Sequence, residues 1–520
     1  MHRYPVNLIA CIYGLVCIAT AGSLLHAEIH IPMNADALVD SIGVNVHLGY
    51  LDTAYSQFDN IIKPRLQELG IRHVRDGSPS YQAAHDPNHY YVQRHNQLGG
   101  IGIKTIFIFD PRLIQPWEAI DAIHAVEDVI DAVEGPNEMD LNLQVTYNGQ
   151  SFPDGVRNYQ DDLYNTVKGE VSTSHLPVVM TSLGNPDSAD LFIPPGGAPL
   201  ETADFANMHS YTGHNPPCFQ WDWYTLKAQH VCDRPIFATE TGYHNAIDHD
   251  PTSGGLWMYG ISEQAAAKYI SRLYFMSFKR DVKRTYLYEF IDEIEDPVEP
   301  ERNFGLLRND GSTKPAFNVM KNIITVLQDP GPTFQAMPMN YSFTGQIDDI
   351  EHMLLQKRDG RFYLVVWANT ESYGIELKSD IAVADRQVTL ELNYPATYAN
   401  IYRPLDSPDV EQSYQSPTEI QLNVPDHPLI VEFEIIPLPP PSDLAAVFND
   451  VLSLVVLEWS DNSSGNDQED YFIVQRKPDR SGFHWTTLAI LPPDTVVYVD
   501  SSEFYGFVEY LYRVGTFKAD

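Results

Sequence analysis

Residues 130–138 read IDAVEGPNE, a short apolar run that ends at a Gly-Pro turn and leads directly into Asn137 and Glu138. Short β-branched runs closed by Gly or Pro are typical of buried strands. Seven similar runs lie between residues 41 and 292, separated by stretches with helical periodicity. The eight predicted strands are Ile42–Leu48, Ile71–Arg75, Lys104–Phe109, Ala132–Gly135, Val178–Ser182, Phe205–His209, Ile236–Thr239 and Arg284–Phe290.

The intervening stretches carry helix signals. Phe58–Leu69 is amphipathic and precedes Gly70, a typical C-cap, and Ser262 can N-cap a helix over Glu263–Phe278. A last helix is predicted at Pro315–Leu327. Near-continuous apolar strands alternating with helices predict a parallel sheet covered by helices, and eight units over roughly 290 residues match a (β/α)₈ TIM barrel. A doubly wound open sheet is the alternative, although it usually has fewer units and a Gly-rich turn after its first strand.

The pattern changes to strands alone after about residue 330, where the predicted barrel domain (28–330) ends. The first two of these strands flank Asp359-Gly360, which is a strong hairpin signal. We therefore predict an all-β sandwich over residues 331–436. Its predicted strands are Met353–Gln356, Phe362–Val366, Val388–Leu392, Tyr398–Tyr402, Ile420–Val424 and Leu429–Ile435.

A Pro-rich linker follows at residues 437–442, and residues 443–520 again contain only strand-like runs. Leu457-Glu458-Trp459, Tyr471–Arg476 and Tyr510–Val514 resemble the corresponding strands of a fibronectin type III module. The resemblance implies a second β-sandwich with Trp459 in its core. The family has one more strand than this stretch provides, so the module is expected to be incomplete.

The composition restricts the partners of this 520-residue chain. A formal net charge of −37 argues against nucleic acid and anionic membrane surfaces, which attract Lys and Arg patches. Residues 1–27 resemble an export signal, with Arg3 before an apolar run (Leu8–Leu25) and a small residue, Ala27, at its end. We expect a secreted protein, extracellular or periplasmic, monomeric and without membrane insertion once the signal is removed. A membrane anchor is the alternative reading.

Cysteines and histidines indicate little further chemistry. Cys218 and Cys232 lie outside the predicted signal, and an even pair in an exported chain favours a disulfide between them, with two free thiols as the alternative. His85, His89 and His95 do not have the spacing of a known metal site. The sequence therefore predicts no metal and no cofactor.

Two carboxylates stand where function is expected in such a barrel, at the C-terminal ends of strands. Glu138 follows the fourth predicted strand and Glu240 follows the seventh. Strands four and seven lie on opposing sides of the ring, so these carboxylates can converge over its mouth. A facing pair of carboxyls is what glycoside hydrolysis requires, one as acid and one as nucleophile or base. Solvated loop carboxylates are the alternative interpretation.

The barrel resembles clan A of the glycoside hydrolases, the cellulase-like glycosidases, on Asn137-Glu138 after strand four and Glu240 after strand seven. The resemblance implies that Glu138 is the acid/base, that Glu240 is the nucleophile of a retaining mechanism, and that Asn137 binds the sugar 2-hydroxyl. Arg75 matches the clan's arginine beside the nucleophile.

His209-Ser210-Tyr211 matches the His-x-Tyr of the cellulase-type family, which implies that Tyr211 donates to Glu240 and that His209 contacts sugar or orients Glu138. Other features depart from that family: Met139 replaces its usual proline, strand eight has no tryptophan, and strand three ends in Asp110 without the family's histidine.

Further binding residues are proposed from their positions at strand ends and in the top loops. His47 and Glu289, with Asp292, are expected to form a polar subsite, with plain ion pairing as the alternative. Aromatic side chains suit sugar stacking, and ordinary packing is the alternative for each of them. These candidates are Tyr50, Tyr55, Trp221, Trp223, Tyr243 and Trp257.

The predicted function is hydrolysis, with retention, of β-glycosidic bonds in an oligo- or polysaccharide. One alternative is a carbohydrate-binding or adhesion protein on a non-catalytic barrel. Another keeps the site and changes the reaction to transglycosylation or to lyase chemistry on uronic acid polymers. The negative net charge disfavours the polyuronate reading, because like charges would be brought together.

Overall fold

The computed structural model describes residues 29–517, except residues 194–195, 218, 254–255, 257, 393–395, 436–440, 450–451, 464–468, 470, 479–485 and 503–509. The predicted signal and part of the predicted linker therefore lie outside the described residues. Within these limits, the structure contains no helix long and apolar enough to cross a membrane. The described chain begins with two short strands and a helix, β1 (Ile29–His30), β2 (Met33–Asn34) and α1 (Ala35–Asp40).

Eight parallel strands form the next sheet, and each coincides with one of the eight predicted runs. Their order is β7-β6-β5-β4-β3-β10-β9-β8, and a parallel bridge between Val179 and Phe205 joins the two ends. The sheet is thus a TIM barrel, as predicted. The strands are β3 (Ile42–Asn45), β4 (His73–Gly77), β5 (Lys104–Ile108), β6 (Ile130–Glu134), β7 (Val178–Val179), β8 (Ala206–His209), β9 (Ile236–Thr241) and β10 (Arg284–Leu287).

Helices surround the barrel and begin and end where their caps predict. Ser262 accepts a hydrogen bond from the Ala265 N–H at the start of α9, and Gly70 closes α2 with a φ of 77°. The helices are α2 (Lys63–Leu69), α3 (Tyr81–Ala84), α4 (Tyr90–Gly99), α5 (Ala119–Ala125), α6 (Asp154–Gly169), α7 (Ala189–Phe192), α8 (Trp221–Val231), α9 (Glu263–Lys279) and α10 (Pro315–Leu327). Single turns of 3₁₀ or π helix lie at Ala54–Ser56, Phe58–Ile62, Pro116–Glu118, Pro186–Ser188, Pro251–Ser253 and Pro300–Arg302.

After the barrel the structure is all β, as predicted. Two antiparallel sheets enclose a core to which both contribute, for example Leu390 from one and Val431 from the other. The predicted hairpin at Gly360 joins β12 and β13. The strands are β11 (Met339–Gly345), β12 (Ile350–Gln356), β13 (Phe362–Ala368), β14 (Tyr373–Gly374), β15 (Ser379–Asp380), β16 (Arg386–Leu392), β17 (Ala396–Tyr402), β18 (Val410–Gln415), β19 (Glu419–Val424) and β20 (Leu429–Ile435).

The N-terminal strands belong to these two sheets, which the sequence did not indicate. β1 pairs antiparallel with β11, and β2 pairs in parallel with the end of β12. The sheet orders are β1-β11-β16-β19 and β18-β17-β20-β13-β12-β2. The chain therefore contributes to the sandwich before it forms the barrel.

The last described strands form two further antiparallel sheets of three, ordered β21-β22-β25 and β24-β23-β26. Trp459 and Phe472 pack in the small core that involves both sheets. The strands are β21 (Ser442–Asn449), β22 (Leu454–Ser460), β23 (Tyr471–Pro478), β24 (Thr486–Leu491), β25 (Val497–Asp500) and β26 (Tyr510–Phe517).

The barrel and the sandwich share one hydrophobic core. All seven residues of β13 are buried, because one face of the strand points into the sandwich and the other against α9. Trp367 is fully buried, and its ring centroid lies 6.1 Å from that of Phe275 on α9. The fully buried Arg272 donates from the same helix to the carbonyls of Ala368 and Thr370. The two units are thus packed together by apolar and polar contacts.

We expect Trp367→Ala to destabilise both units, because it leaves a cavity in this shared core. Aromatic-to-alanine changes at buried sites lower the free energy of unfolding by about 3–5 kcal/mol. Chemical denaturation followed by fluorescence and circular dichroism measures the loss, and Leu377→Ala, at a position that is 82% exposed, is the control. An unchanged unfolding midpoint for Trp367→Ala would contradict the shared core.

Candidate active site

A pocket of about 1100 Å³ opens at the C-terminal ends of the barrel strands. Glu138 from the loop after β6 and Glu240 from β9 both line it, together with Asn137, His209 and Tyr211. This is the end of a TIM barrel at which active sites are found. The structure therefore brings together the residues that the sequence placed on separate strands.

Arg75 on β4 lies at the floor of this pocket and is 2% exposed. Its guanidinium donates to both oxygens of Glu134, at 2.7 and 2.8 Å. It also donates to Glu240 Oε1 at 2.6 Å and to Asn137 Oδ1 at 2.6 Å. A planar guanidinium with several fixed donors orients such acceptors more strictly than a lysine would. One cation thus positions side chains from two different segments, β6 with its following loop and β9.

Glu240 is held as a carboxylate. Burial alone would raise its pKa, but the charges of His209 and Arg75 lower that pKa well below its usual range. A hydrogen bond of 2.8 Å from the Tyr211 hydroxyl to Oε2 lowers it further. Hydrogen bonds and opposite charges both favour the charged form of an acid. The predicted contacts of Glu240 with Arg75 and Tyr211 are present in the structure.

Glu138 faces Glu240 from the other side of the pocket. Its backbone has a φ of 49°, in the left-handed region that non-glycine residues rarely occupy, and its N–H donates to Ser182 Oγ at 3.2 Å. The carboxyl contacts His209 Nδ1 at 2.6 Å. One oxygen of Glu138, one oxygen of Glu240 and a His209 ring nitrogen all lie within 4.8 Å of one another.

His209 connects the two glutamates. Its Nδ1 lies 2.6 Å from Glu138 and 3.6 Å from Glu240, and its Nε2 lies 3.0 Å from Thr239 Oγ1. Burial opposes protonation of the imidazole, but the two carboxylates raise its pKa above the usual value. The ring is therefore placed to orient Glu138, one of the two roles that the sequence left open for it.

Asn137 has its side-chain oxygen occupied by protein donors. Arg75 donates to this oxygen at 2.6 Å and the Ser182 hydroxyl at 3.1 Å. Asp110 accepts from the Asn137 backbone N–H at 3.1 Å. These contacts orient the amide so that its NH₂ group is available to donate towards the pocket.

A polar network beneath the pocket supports this arrangement, and Glu134 is at its centre. This carboxylate is fully buried and also accepts from Asn207 Nδ2 at 2.9 Å. Thr239 contacts the carboxylate of Glu134 and donates to Asn207 Oδ1 at 2.7 Å. Asn207 and Thr239 lie inside predicted strands, where a polar side chain gives no signal of its own.

His47, Glu289 and Glu293 form a second cluster beside the pocket. His47 lines the pocket, but Glu289 is fully buried behind it and accepts from the Tyr55 hydroxyl at 2.9 Å. Burial, with repulsion from Glu293 and Asp292, raises the pKa of Glu289 well above its usual range, which favours the neutral form of the acid. Direct contact between Glu289 and a substrate, as predicted, is therefore not supported.

Both clusters have the donor types of a metal site. In His47, Glu289 and Glu293, as in Glu138, His209 and Glu240, one ligand atom from each residue lies within 4.8 Å of the other two. A cation between Glu138 and Glu240 would occupy the carboxylates that face the pocket. In the other cluster, Glu289 Oε2 already accepts a hydrogen bond from Tyr55, and burial favours the neutral form of this acid.

Other residues proposed from the sequence do not take the predicted role or lie outside the described residues. Cys232 is a buried free thiol, and this contradicts the predicted disulfide. Burial raises the pKa of the Cys232 thiol to about 11. Its predicted partner, Cys218, and the predicted platform Trp257 lie outside the described residues. Asp292 is paired with Lys314 at 2.8 Å, the ion pairing that the sequence left as the alternative.

Some of the aromatic residues proposed for sugar stacking line the pocket, and others are buried. Tyr50 and Trp223 line the pocket, while the other described candidates are buried in packing positions. The buried ones are Tyr55, Trp221 and Tyr243.

Tyr288 and Glu301 are among the lining residues that the sequence did not indicate. Tyr288 directly follows β10 and lines the pocket. Glu301 lies in the loop that follows, where burial and repulsion from Glu240 and Glu138 raise its pKa to about 7. An aromatic residue at a strand end could have indicated Tyr288, whereas no local pattern marks Glu301.

Comparisons with known proteins identify the fold. No family model matches the chain, and no curated protein matches it. Among solved structures it is similar to a family 39 glycoside hydrolase from the gut symbiont Bacteroides cellulosilyticus WH2, with a TM-score of 0.50 and 16% identity over 78% of this chain and 83% of that one.

Two other similar structures extend over more of the chain. A bacterial orthologue of human α-L-iduronidase aligns with a TM-score of 0.46 and 12% identity, over 94% of this chain and 97% of that one. A glucosidase from Croceicoccus marinus aligns with a TM-score of 0.46 and 12% identity, over 94% and 95% of the two chains. These structural neighbours are glycoside hydrolases, and the likeness at such identities is one of fold.

We expect Glu289→Gln to be tolerated and to become stabilising, relative to the wild type, as the pH rises. An acid whose pKa is higher in the folded state binds more protons there than when unfolded. The wild type therefore loses stability as the pH rises above about 4.5, and glutamine does not share that loss. Melting temperatures between pH 4 and 8 measure the difference.

The matched control for this test is Glu295→Gln, an exposed acid in the same loop. A Glu289→Gln variant that is strongly destabilised at neutral pH would show that Glu289 is buried as a carboxylate. That result would contradict the neutral form that burial favours.

Proposed function

We propose that this chain is a secreted retaining glycoside hydrolase that cleaves β-glycosidic bonds in a carbohydrate substrate. The observation that carries the proposal is the approach of Glu138 and Glu240, with one oxygen of each within 4.8 Å of the other across the pocket. Retaining enzymes hold their carboxyl groups about 5–5.5 Å apart, whereas inverting enzymes leave about 6.5–9.5 Å for a water molecule. The short separation favours the retaining mechanism.

In the first step Glu240 attacks the anomeric carbon. The bond to the leaving oxygen breaks, that oxygen takes a proton from Glu138, and an ester joins Glu240 to the sugar. The buried Arg75 and the Tyr211 hydroxyl keep Glu240 ionised and aimed at the pocket. In the second step water attacks the anomeric carbon, Glu138 accepts a proton from it, and the ester bond breaks to release Glu240.

Asn137 and His209 have supporting roles in this proposal. The Asn137 amide, oriented by Arg75 and Ser182, donates to the sugar 2-hydroxyl, a contact that strengthens as charge develops on the ring. His209 orients the Glu138 carboxyl, with its Nδ1 2.6 Å from a carboxyl oxygen. Tyr50 and Trp223 line the pocket and provide apolar surface for the substrate.

Export and the final module are part of the proposal. The signal-like residues 1–27 support secretion to the extracellular or periplasmic space. The two three-stranded sheets after residue 441, which pack around Trp459, support a fibronectin type III-like module. The proposed domains are those of the sequence, a barrel (28–330), a sandwich (331–436) and a last module (443–520), except that β1 and β2 at the start of the first range belong to the sandwich.

We expect a 2-fluoro activated β-glycoside of the matching sugar to label Glu240 covalently. The fluorine slows both steps and the good leaving group restores the first, so the glycosyl ester accumulates. Intact mass and peptide mapping measure the label, and Glu240→Gln is the unlabelled control. A label on another residue would overturn the assignment of the nucleophile.

A panel of β-glycosides and β-glycans, assayed with wild type and Glu240→Gln, separates hydrolysis from carbohydrate binding alone. Equal absence of turnover in both proteins, with sugar binding retained, would favour the binding protein. Product analysis separates the other reactions, because transglycosylation gives longer products and a lyase leaves an unsaturated end that absorbs ultraviolet light.

We expect Glu138→Ala to lose about 10²–10⁴-fold in kcat/KM on substrates with poor leaving groups, because general acid catalysis contributes about that much. Activated aryl glycosides, which leave without a proton, should retain a rapid first step. Sodium azide should then restore turnover and give a β-glycosyl azide, detected by NMR. An α-azide would contradict retention, and a Glu138→Ala variant with full activity would exclude Glu138 as the acid.

A further inference from the structure

The side of the pocket next to Glu138 is formed by consecutive barrel loops, and we call it the acid-side wall. Its lining residues include Leu113 after β5, Leu141 after β6, Pro186 after β7 and Trp223 at the start of α8. In the proposed reaction Glu138 protonates the oxygen of the leaving group. The part of the substrate that leaves, the aglycone, must therefore lie against this wall.

The charged side chains of this wall are engaged by their neighbours. Arg112 donates to both oxygens of Asp110 and to the Asn137 carbonyl. Asp140 accepts from the backbone N–H groups of Gly184 and Asn185, each at 2.9 Å. Groups already paired within the protein contribute little to recognising a sugar hydroxyl, because an existing bond must be exchanged.

The open surface of this wall contains two leucines and a tryptophan ring, next to the exposed polar side chains of Asn185 and Gln220. Leu141 is 64% exposed and Leu113 is 43% exposed, although both line the pocket. Trp223 uses its indole N–H on Asp187, at 3.3 Å, so its ring presents carbon atoms. Exposed apolar side chains gathered at a binding pocket indicate an apolar ligand.

Leu141 is adjacent to the acid itself. Its N–H donates to the Glu138 carbonyl at 3.0 Å, within one turn of chain. A Cβ atom added at Gly184 would lie 2.4 Å from Leu141 Cδ1 and 3.1 Å from the carboxyl carbon of Glu138. The leucine side chain and the acid thus approach the same small volume, which Gly184 leaves free by having no side chain.

We propose that the acid-side wall is an aglycone site for an apolar leaving group, such as an alkyl chain or a lipid-like alcohol. This inference rests on the proposed glycosidase function and specifies the chemical class of the leaving group. The sugar lies over the polar floor formed by Arg75, Asn137 and Glu240, and the leaving group lies against Leu113 and Leu141. A second sugar is then not the preferred leaving group, in contrast to the oligo- or polysaccharide expected from the sequence.

The test compares leaving groups of similar reactivity on one sugar. A panel of p-nitrophenyl β-glycosides first identifies the sugar, and the methyl glycoside, the octyl glycoside and the β-linked disaccharide of that sugar are then compared. We expect kcat/KM for the octyl glycoside to exceed that of the other two by at least about tenfold, because burying apolar area on the leucines is favourable. The measurement is made below the critical micelle concentration.

Variants assign the preference to the wall. Leu141→Asn and Leu113→Asn should each lower the octyl-to-methyl ratio of kcat/KM by about threefold to tenfold. Leu143→Asn is the matched control, because Leu143 lies in the same loop and is 61% exposed but does not line the pocket. It should leave the ratio unchanged.

The outcomes separate this inference from the proposed function. Hydrolysis with an octyl-to-methyl ratio near one, or with a ratio that Leu141→Asn does not lower, overturns the aglycone site and leaves the glycosidase standing. A clear preference for the disaccharide also overturns it. The absence of hydrolysis of every glycoside, together with no labelling of Glu240, overturns both.

Discussion

The arrangement of the pocket depends on one buried cation. Arg75 is almost fully excluded from water, and its guanidinium bonds to Glu134 and Asn137, at the end of β6 and in the loop that follows it, and to Glu240 on β9. A buried charge is tolerated only when its donors are satisfied, so these three acceptors must stay in place for the barrel to close around the arginine. The requirement for a stable interior therefore also fixes the positions of groups at the pocket surface.

The same constraint makes the two glutamates different from each other. Glu240 receives the guanidinium and a tyrosine hydroxyl, and both favour its charged form. Glu138 is more exposed and has His209 as its close neighbour. Two carboxyls of the same chemical type thus have different environments, which is what acid and nucleophile roles require. The acid-side wall adds a third environment, in which charged groups are paired and carbon surface is left open.

Much of this could be predicted because the signals are local. Each barrel strand is a short apolar run, the caps Gly70 and Ser262 are single residues, and Glu138 and Glu240 lie near the C-terminal ends of predicted strands. Features that depend on distant pairing were missed. β1 and β2 have two residues each, too few for a periodic pattern, and they are ordered by strands far along the chain. The local sequence does not predict the burial of a side chain either. Glu289 follows a strand as Glu138 does, yet Glu289 is fully buried. The free thiol of Cys232 shows the same limit, since cysteine parity says nothing about the distance between two sulfur atoms.

The place of β1 and β2 has a consequence for how the molecule can be assembled and divided. Their partners, β11 and β12, are made only after the whole barrel, so the two sheets stay incomplete until the sandwich segment has been synthesised. Contacts between distant parts of a chain form late and slowly. If the barrel were transferred by recombination without the sandwich, β1 and β2 would lose their partner strands. The pairing of β1 and β2 with β11 and β12 thus makes the barrel and the sandwich one structural unit.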